Sequence, residues 1–553
     1  MKMIKVSTGI YWIEIPEAEL FILCGCPADC VKHLMKRGLI VKEEKNGVLY
    51  ETGPNAILLS DIAIQNERFA NLSEFPILQM LYRQGFLLPG HPKNTGAKPL
   101  LIGLDEQVRD QAEYIFRGNY GLVSVEELTA GGASAECARD MLRLKLKFAF
   151  DRIRKTEELV ETRVVGEGPT ELRKGAVVER RGLNLYEFSY GGESVSVDLN
   201  LSINEDYEPP YQLGFNEIKR EYFSVIHSGD GDGWDANRPC MSSILVFQGK
   251  IYLIDAGPNM LASLRALGIG VNEIEGIFHT HAHDDHFNGL TVLIRSDHRI
   301  KYYAAPLVRH STIKKLAALM PVSARRFSDF FEIHDLESGV WNNIEGLEVK
   351  PDFSPHPVET TVMCFRALWS DGYKTYTHLA DIASKNVLTG MITENHGRSG
   401  ITQQYYNEID RLYREPADIK KIDVGGGLIH GDAQDFSGDK SKKIILSHTE
   451  HNLTNAQKEI GESASFGMQD VLIRAEQDYT RRCAFRYLQQ YFPSVPLHEL
   501  YMLLNCPAEK FNPGAMIIRH EEKNKNIFFV LSGVLEFIVH GRDMSSTLTA
   551  GSF

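Results

Sequence analysis

The sequence predicts an α/β protein built from more than one domain. Three observations carry this. The chain has 553 residues, too many for one ordinary core. Its apolar content of 43% and charged content of 24% are those of a globular chain. Between about residues 215 and 460, short apolar runs alternate with stretches of helical character. The expected domains are 1–210, 211–462 and 463–553.

The first region, 1–210, reads as a mixed α/β domain of unassigned role. Leu20-Phe21-Ile22-Leu23, Ala56-Ile57-Leu58-Leu59 and Pro99-Leu100-Leu101-Ile102 are short apolar runs between Gly- and Pro-marked turns. Residues 134–161 carry apolar side chains at helical spacing and predict one long amphipathic helix. Val195-Val197-Leu199-Leu201 alternates as a strand does. The polar, Pro-containing residues 204–210 predict a linker.

In the second region, Ser243-Ile244-Leu245-Val246-Phe247 and Ile251-Tyr252-Leu253-Ile254 flank Gly249 and predict a hairpin. Residues 385–420 predict a polar, helical insertion over the site. Residues 465–505 predict helix, with Leu472, Ala475, Tyr479, Cys483, Leu488 and Tyr491 as core positions. The tail, with Met516-Ile517-Ile518 and Phe528-Phe529-Val530-Leu531 between Gly turns, predicts a partial β-roll.

Composition narrows the function. A net charge of -13 argues against a wide nucleic-acid surface, which needs clustered Lys and Arg. A small anionic substrate is expected instead. No apolar run approaches a membrane span, and the start lacks a signal-peptide pattern, so no membrane association and a cytoplasmic location are expected. The eight Cys read as reduced thiols, with Cys24, Cys26 and Cys30 as ordinary buried or turn residues. A homo-oligomer is expected.

The chemistry concentrates in Thr280-His281-Ala282-His283-Asp284-Asp285-His286. Buried imidazoles and carboxylates without partners are costly, so such density predicts a metal site. Alternation along an extended segment places His281 and His283 on one face. Asp285 and His286 then aim at a second point, which favours two metals over one.

The pattern His-x-His-x-Asp-His after a strand resembles the metallo-β-lactamase superfamily. The wording around it is similar to the ribonuclease Z and phosphodiesterase branch. Further segments resemble that family's motifs in order: Asp255 in Leu253-Ile254-Asp255-Ala256-Gly257, His356 in Ser354-Pro355-His356-Pro357, Asp381 in His378-Leu379-Ala380-Asp381, and His448 in Leu446-Ser447-His448-Thr449.

The resemblance implies a four-layer αββα sandwich and a dinuclear, metal-dependent hydrolase. It implies His281, His283 and His356 at one metal, Asp285, His286 and His448 at the other, and Asp381 between them. Asp255 would orient a ligand. Zinc is favoured, with iron or manganese also compatible with such ligands. A hydroxide shared by the metals would be the nucleophile, and phosphodiesters the favoured substrates. Asp285 and His430 are the expected catalytic residues. His430, in a Gly-rich loop, would protonate the leaving group, with His451 and His378 as weaker candidates. The alternative is a non-hydrolytic diiron redox or oxygen sensor signalling through the tail.

Two other segments invite functional readings. Ser228-Gly229-Asp230-Gly231-Asp232-Gly233-Trp234-Asp235 lacks the terminal Glu of a calcium loop and predicts a flexible rim loop. The tail resembles the first half of a cyclic nucleotide-binding domain, through Phe511-Asn512-Pro513-Gly514 and Phe529-Val530-Leu531-Ser532-Gly533. The phosphate cassette of that family has no counterpart here, so nucleotide binding is not expected.

Overall fold

The computed structural model describes residues 1–320, 324–539 and 544–553. Its centre is two facing sheets with helices outside both. The first is seven-stranded, in the order Phe331–Asp335, Ile300–Ala304, Ile274–Phe278, Lys250–Ile254, Ser242–Phe247, Phe223–Gly229, Gln469–Ile473. The second is six-stranded: Asn342–Ile344, Leu347–Ser354, Thr360–Trp369, Gly372–Leu379, Ile419–Asp423, Lys443–Ser447. Side chains alternate across each strand. Phe223 and Val225 therefore point between the sheets, with Phe278, Phe365 and Tyr376, while Ile226 points outward. Helices Met260–Ala266 and Pro306–Ala317 cover one outer face. Helices Lys385–Thr389 and Gln403–Arg414 cover the other. This is the αββα sandwich of the metallo-β-lactamase fold.

The predicted hairpin forms. Ser242–Phe247 pairs antiparallel with Lys250–Ile254 across Gln248 (φ 50°) and Gly249 (φ 74°), a turn whose twist suits right-handed strands. The segment 385–420 differs from expectation. Leu388, Met391, Ile409 and Tyr413 bury against Ile422 and Leu446, so it forms an outer layer instead of an insertion over the site.

Residues 1–210 form a second body. Leu20–Cys24, Ala56–Leu58, Leu100–Gly103 and Glu161–Val164 run parallel, with an antiparallel hairpin of Lys2–Ser7 and Ile10–Ile15 at one edge. Both faces are covered, which explains the unbroken apolar runs. One face meets helices through Val31, Ile77 and Ile115. The other meets a four-stranded antiparallel sheet through Val178, Tyr186, Phe188 and Val197.

Several expectations are corrected locally. The long helix stops at Phe148, because Phe150 (φ 52°) and Asp151 (φ 63°) take the left-handed conformation, which no helix continues through. Residues 204–210 form a strap with Tyr207 buried, where Gln65 Nε2 donates to Tyr207 Oη at 3.1 Å. Helix begins only at Tyr479 in the third region. Gln469–Ile473 instead pairs with Phe223–Gly229 and completes the first sheet. Tyr479, Cys483 and Leu488 are buried, Leu472 and Ala475 are half-buried, and Tyr491 is exposed.

The tail is not a β-roll in the described residues. Residues 516–518 and 528–531 lie outside regular structure, and Val534–Val539 pairs only with Met544–Thr549. The resemblance to a cyclic nucleotide-binding domain is therefore unsupported. Among the described residues no helix is long and apolar enough to cross a membrane.

Candidate metal centre

The functional residues leave the carboxyl ends of parallel-running strands, at one edge of the sandwich. Asp255 follows Lys250–Ile254, and residues 281–286 follow Ile274–Phe278. In the other sheet His356 follows Leu347–Ser354, Asp381 follows Gly372–Leu379, and His448 follows Lys443–Ser447. The predicted ligands thus come from separate segments and meet at one place. All are buried; the most open, His283, is 9% exposed.

Two constellations share one carboxylate. Asp381 Oδ2 lies 3.5 Å from His281 Nε2 and 3.5 Å from His356 Nε2. His283 Nδ1 lies 3.1 Å from His356 Nε2. The other oxygen, Asp381 Oδ1, lies 3.2 Å from His286 Nε2 and 3.5 Å from His448 Nε2. His448 Nε2 is also 3.1 Å from Asp285 Oδ2. Within each of the sets His281, His283, His356, Asp381 and Asp285, His286, His448, the donor atoms lie within 4.8 Å of one another.

The donor set fits divalent cations. His281 Nε2, His286 Nε2 and Asp381 Oδ1 are buried without a hydrogen-bond partner, which a folded protein rarely tolerates unless another ligand satisfies them. Burial lowers the pKa of His281, His283 and His356, so these rings are neutral, as ligands must be. Around Asp285 and Asp381 the balance reverses. Burial opposes charge on His448, but Asp381, Asp423 and Asp285 raise its pKa to about 10. Burial also opposes charge on His286, and Asp285 and Asp381 still lift it well above the ordinary value. The carboxylates thus call for positive charge that a cation would supply.

The surrounding turns hold this geometry. Asp255, fully buried with φ 65°, accepts from Thr280 N at 2.7 Å, Thr280 Oγ1 at 2.7 Å and His286 Nδ1 at 2.9 Å. It fixes the start of the 281–286 turn and the ring of His286 together. His448 has φ 60°, a strained conformation for a residue with Cβ. Arg238 Nη2 steadies the next residue, donating to Thr449 O at 2.7 Å and Thr449 Oγ1 at 3.0 Å.

Arg238 also corrects the reading of the 228–235 loop as a flexible rim. The guanidinium pairs with Asp230 at 2.9 Å and Asp235 at 2.5 Å, and all three of Asp230, Asp232 and Asp235 are buried. Cys24, Cys26 and Cys30 are buried free thiols, and burial pushes Cys26 up to about 12.

His430 lies at the rim, with its side chain 20% exposed. Its ring is 4.5 Å from that of His448 and 5.9 Å from that of His356. His430 Nδ1 is 3.1 Å from Asp423 Oδ2, which leaves Nε2 as the nitrogen free to exchange a proton. Burial opposes its charge, but Asp423 raises its pKa above the ordinary value. Asp423 was not foreseen. It is fully buried and also accepts from Ile382 N and Gly425 N. It ends its strand as Asp255 and Asp381 follow theirs, and that pattern could have marked it. His378 is buried between the sheets against Tyr376. His451 is 71% exposed, beside Glu450. Neither sits at the centre.

Comparison with known proteins finds the following likenesses. The model of a family described as Anti-Pycsar protein Apyc1 matches residues 223–395. No curated protein matches the chain by sequence. Among solved structures, the metallo-β-lactamase fold protein YhfI from Bacillus subtilis is 15% identical, covering 45% of this chain and 98% of its own, with a TM-score of 0.33. A diphosphatase of the PhnP family is 17% identical, covering 46% and 98%, with a TM-score of 0.34. The short form of human tRNase Z is 18% identical, covering 45% and 99%, with a TM-score of 0.32. The central sandwich holds a buried His/Asp cluster able to hold divalent metal.

Proposed function

We propose that the protein is a dinuclear metal-dependent hydrolase acting on a small anionic phosphodiester. The observation that carries this is the Asp381 carboxylate, which turns one oxygen to each ligand set. His281, His283 and His356 would hold one cation and Asp285, His286 and His448 the other, with Asp381 between. Zinc suits this donor set, and manganese or iron is compatible with it. Two bound cations would lower the pKa of a shared water and offset the charge of a substrate oxygen.

The chain's own groups do the rest. Asp255 keeps His286 in one tautomer and orientation through its Nδ1. Asp423 holds Nδ1 of His430, so Nε2 faces outward as the acid for a leaving alkoxide. The approach lies beside residues 425–428, where Gly425, Gly427 and Leu428 are exposed. Residues 1–210 pack against the ligand-bearing turns at Asp284, Pro357 and Glu450, and a small substrate is favoured over a polymer. Among the described residues the tail forms only the two-stranded pair Val534–Val539 and Met544–Thr549, so the diiron sensor draws no support from it.

Hydrolysis of bis(p-nitrophenyl) phosphate by the metal-loaded protein, abolished in Asp381→Ala, is the direct test. Full metal occupancy with no turnover on any phosphodiester would overturn the proposal.

A further inference from the structure

The body formed by residues 1–210 touches the sandwich where the candidate metal ligands lie, and it does so through charged and polar side chains, buried at two of the contacts. Of the four turns that bear candidate ligands, three are each held from this body by a separate contact.

The first is the 281–286 turn. Lys315 Nζ, wholly buried, donates to Ala282 O at 2.6 Å and to Asp284 Oδ1 at 2.9 Å. Glu74 pairs with that same ammonium, and Tyr114 Oη donates to Asp284 Oδ1. Glu74 and Tyr114 belong to residues 1–210. Gly118 lacks the Cβ that would collide with the Glu74 carboxylate, so the helix Asp105–Tyr120 is shaped to admit it.

The second is the turn after His356. Glu359, also fully buried, accepts from Leu122 N at 3.1 Å and pairs with Lys145 at 2.6 Å. Lys145 Nζ also donates to Pro357 O at 2.9 Å, one residue beyond the ligand. Gly121, at φ 60°, clears the Glu359 carboxylate.

The third is the turn after His448. Arg83 Nη2 donates to Glu450 Oε2 at 2.7 Å, and Lys42 Nζ to Glu450 Oε1 at 3.2 Å. The Arg83 guanidinium also stacks 4.8 Å from the Trp234 ring, which packs on Phe75.

We propose that residues 1–210 are an intramolecular positioning domain, whose Glu74, Tyr114, Arg83 and Lys145 hold three of the four ligand-bearing turns in register for metal binding. This rests on the metal-centre reading above. Both ligand sets depend on it: Asp284 lies between His283 and Asp285, Pro357 follows His356, and Glu450 stands two residues beyond His448. Groups that orient ligands typically change metal affinity by about 10–100-fold when removed.

The test uses the full chain loaded with cobalt(II), read by its visible absorption and by the rate at which a chelator strips each metal. Tyr114→Phe should speed loss of cobalt from both ligand sets, and Arg83→Met loss of the ion held with His448, each by about tenfold or more. Arg83→Lys should restore slow loss. Lys314→Met removes a contact between the same two bodies, the 2.9 Å pair with Glu127, but touches no ligand turn and should leave both rates at the wild-type value. Tyr114→Phe deletes a single hydroxyl, so it remains informative if Arg83→Met folds poorly. Unchanged rates in Tyr114→Phe and Arg83→Met, or equal acceleration in Lys314→Met, would overturn the positioning role while leaving the metal centre intact. A wild-type chain that takes up no cobalt would overturn both.

Discussion

Replacing Asp423 by Asn removes the charge that holds His430 without removing the ring. The two groups are 3.1 Å apart, with Asp423 fully buried. An opposite charge at such range shifts a pKa by about 1–3 units, each unit worth about 1.4 kcal/mol. His430 is held above its ordinary value despite its burial, so its protonated form persists to higher pH than that of a free imidazole. Activity that needs the imidazolium is present below that raised pKa and falls as pH rises through it. In Asp423→Asn the alkaline limb of kcat/KM should move down by about 1–3 pH units. The leaving group separates this role from a structural one. A p-nitrophenolate departs without a proton, whereas an alkoxide needs one. His430→Ala should therefore cost about 10²–10⁴-fold on an alkyl phosphodiester and little on bis(p-nitrophenyl) phosphate, with metal content unchanged. Equal losses on both substrates, or loss of metal, would refute the assignment of His430 as the acid. An alkaline limb that stays in place in Asp423→Asn would refute the role of Asp423.

Other outcomes follow from the same structure. Asp255→Ala should weaken metal binding by about 10–100-fold, read by chelator competition, because His286 and Thr280 lose their shared acceptor. Lys145→Met strands the buried Glu359 carboxylate and should lower the unfolding free energy by about 3–5 kcal/mol in denaturant titrations. Gly118→Ala places a Cβ against the Glu74 carboxylate and should destabilise by about 1–3 kcal/mol. Burial lowers Lys421 from 10.5 to about 7. Between those values the unfolded chain binds the extra proton, so stability should rise with pH across that window. Lys421→Met should flatten that rise.

The candidate site was legible where each residue of the cluster sits in a local motif. Residues 281–286 announce themselves by density, and Asp381 and His448 by the apolar strands before them. Asp423 escaped because its strand, Ile419–Asp423, contains Lys420 and Lys421, which read as surface residues. Both are buried. Lys420 is neutralised by Asp439, and Lys421 donates to Gly229 O and Ser242 O, each at 2.7 Å. The strand Gln469–Ile473 escaped for a related reason: at an edge it buries fully only Ile473, too little to show alternation. The contacts of residues 1–210 with the sandwich were hidden because they join residues remote in sequence. Nothing local to Glu74 or Lys145 foretells Lys315 or Glu359 as a partner. The tail misled in the other direction: residues 516–518 and 528–531, apolar between Gly turns, lie outside regular structure.

Crystals of the protein grown with zinc or manganese, and measured at that metal's absorption edge, examine the whole scheme at once. Two anomalous peaks about 3.5–4 Å apart should be found, one among His281, His283 and His356, the other among Asp285, His286 and His448, with Asp381 touching both. A single peak held by Asp423 and His430, or none at all, would contradict it.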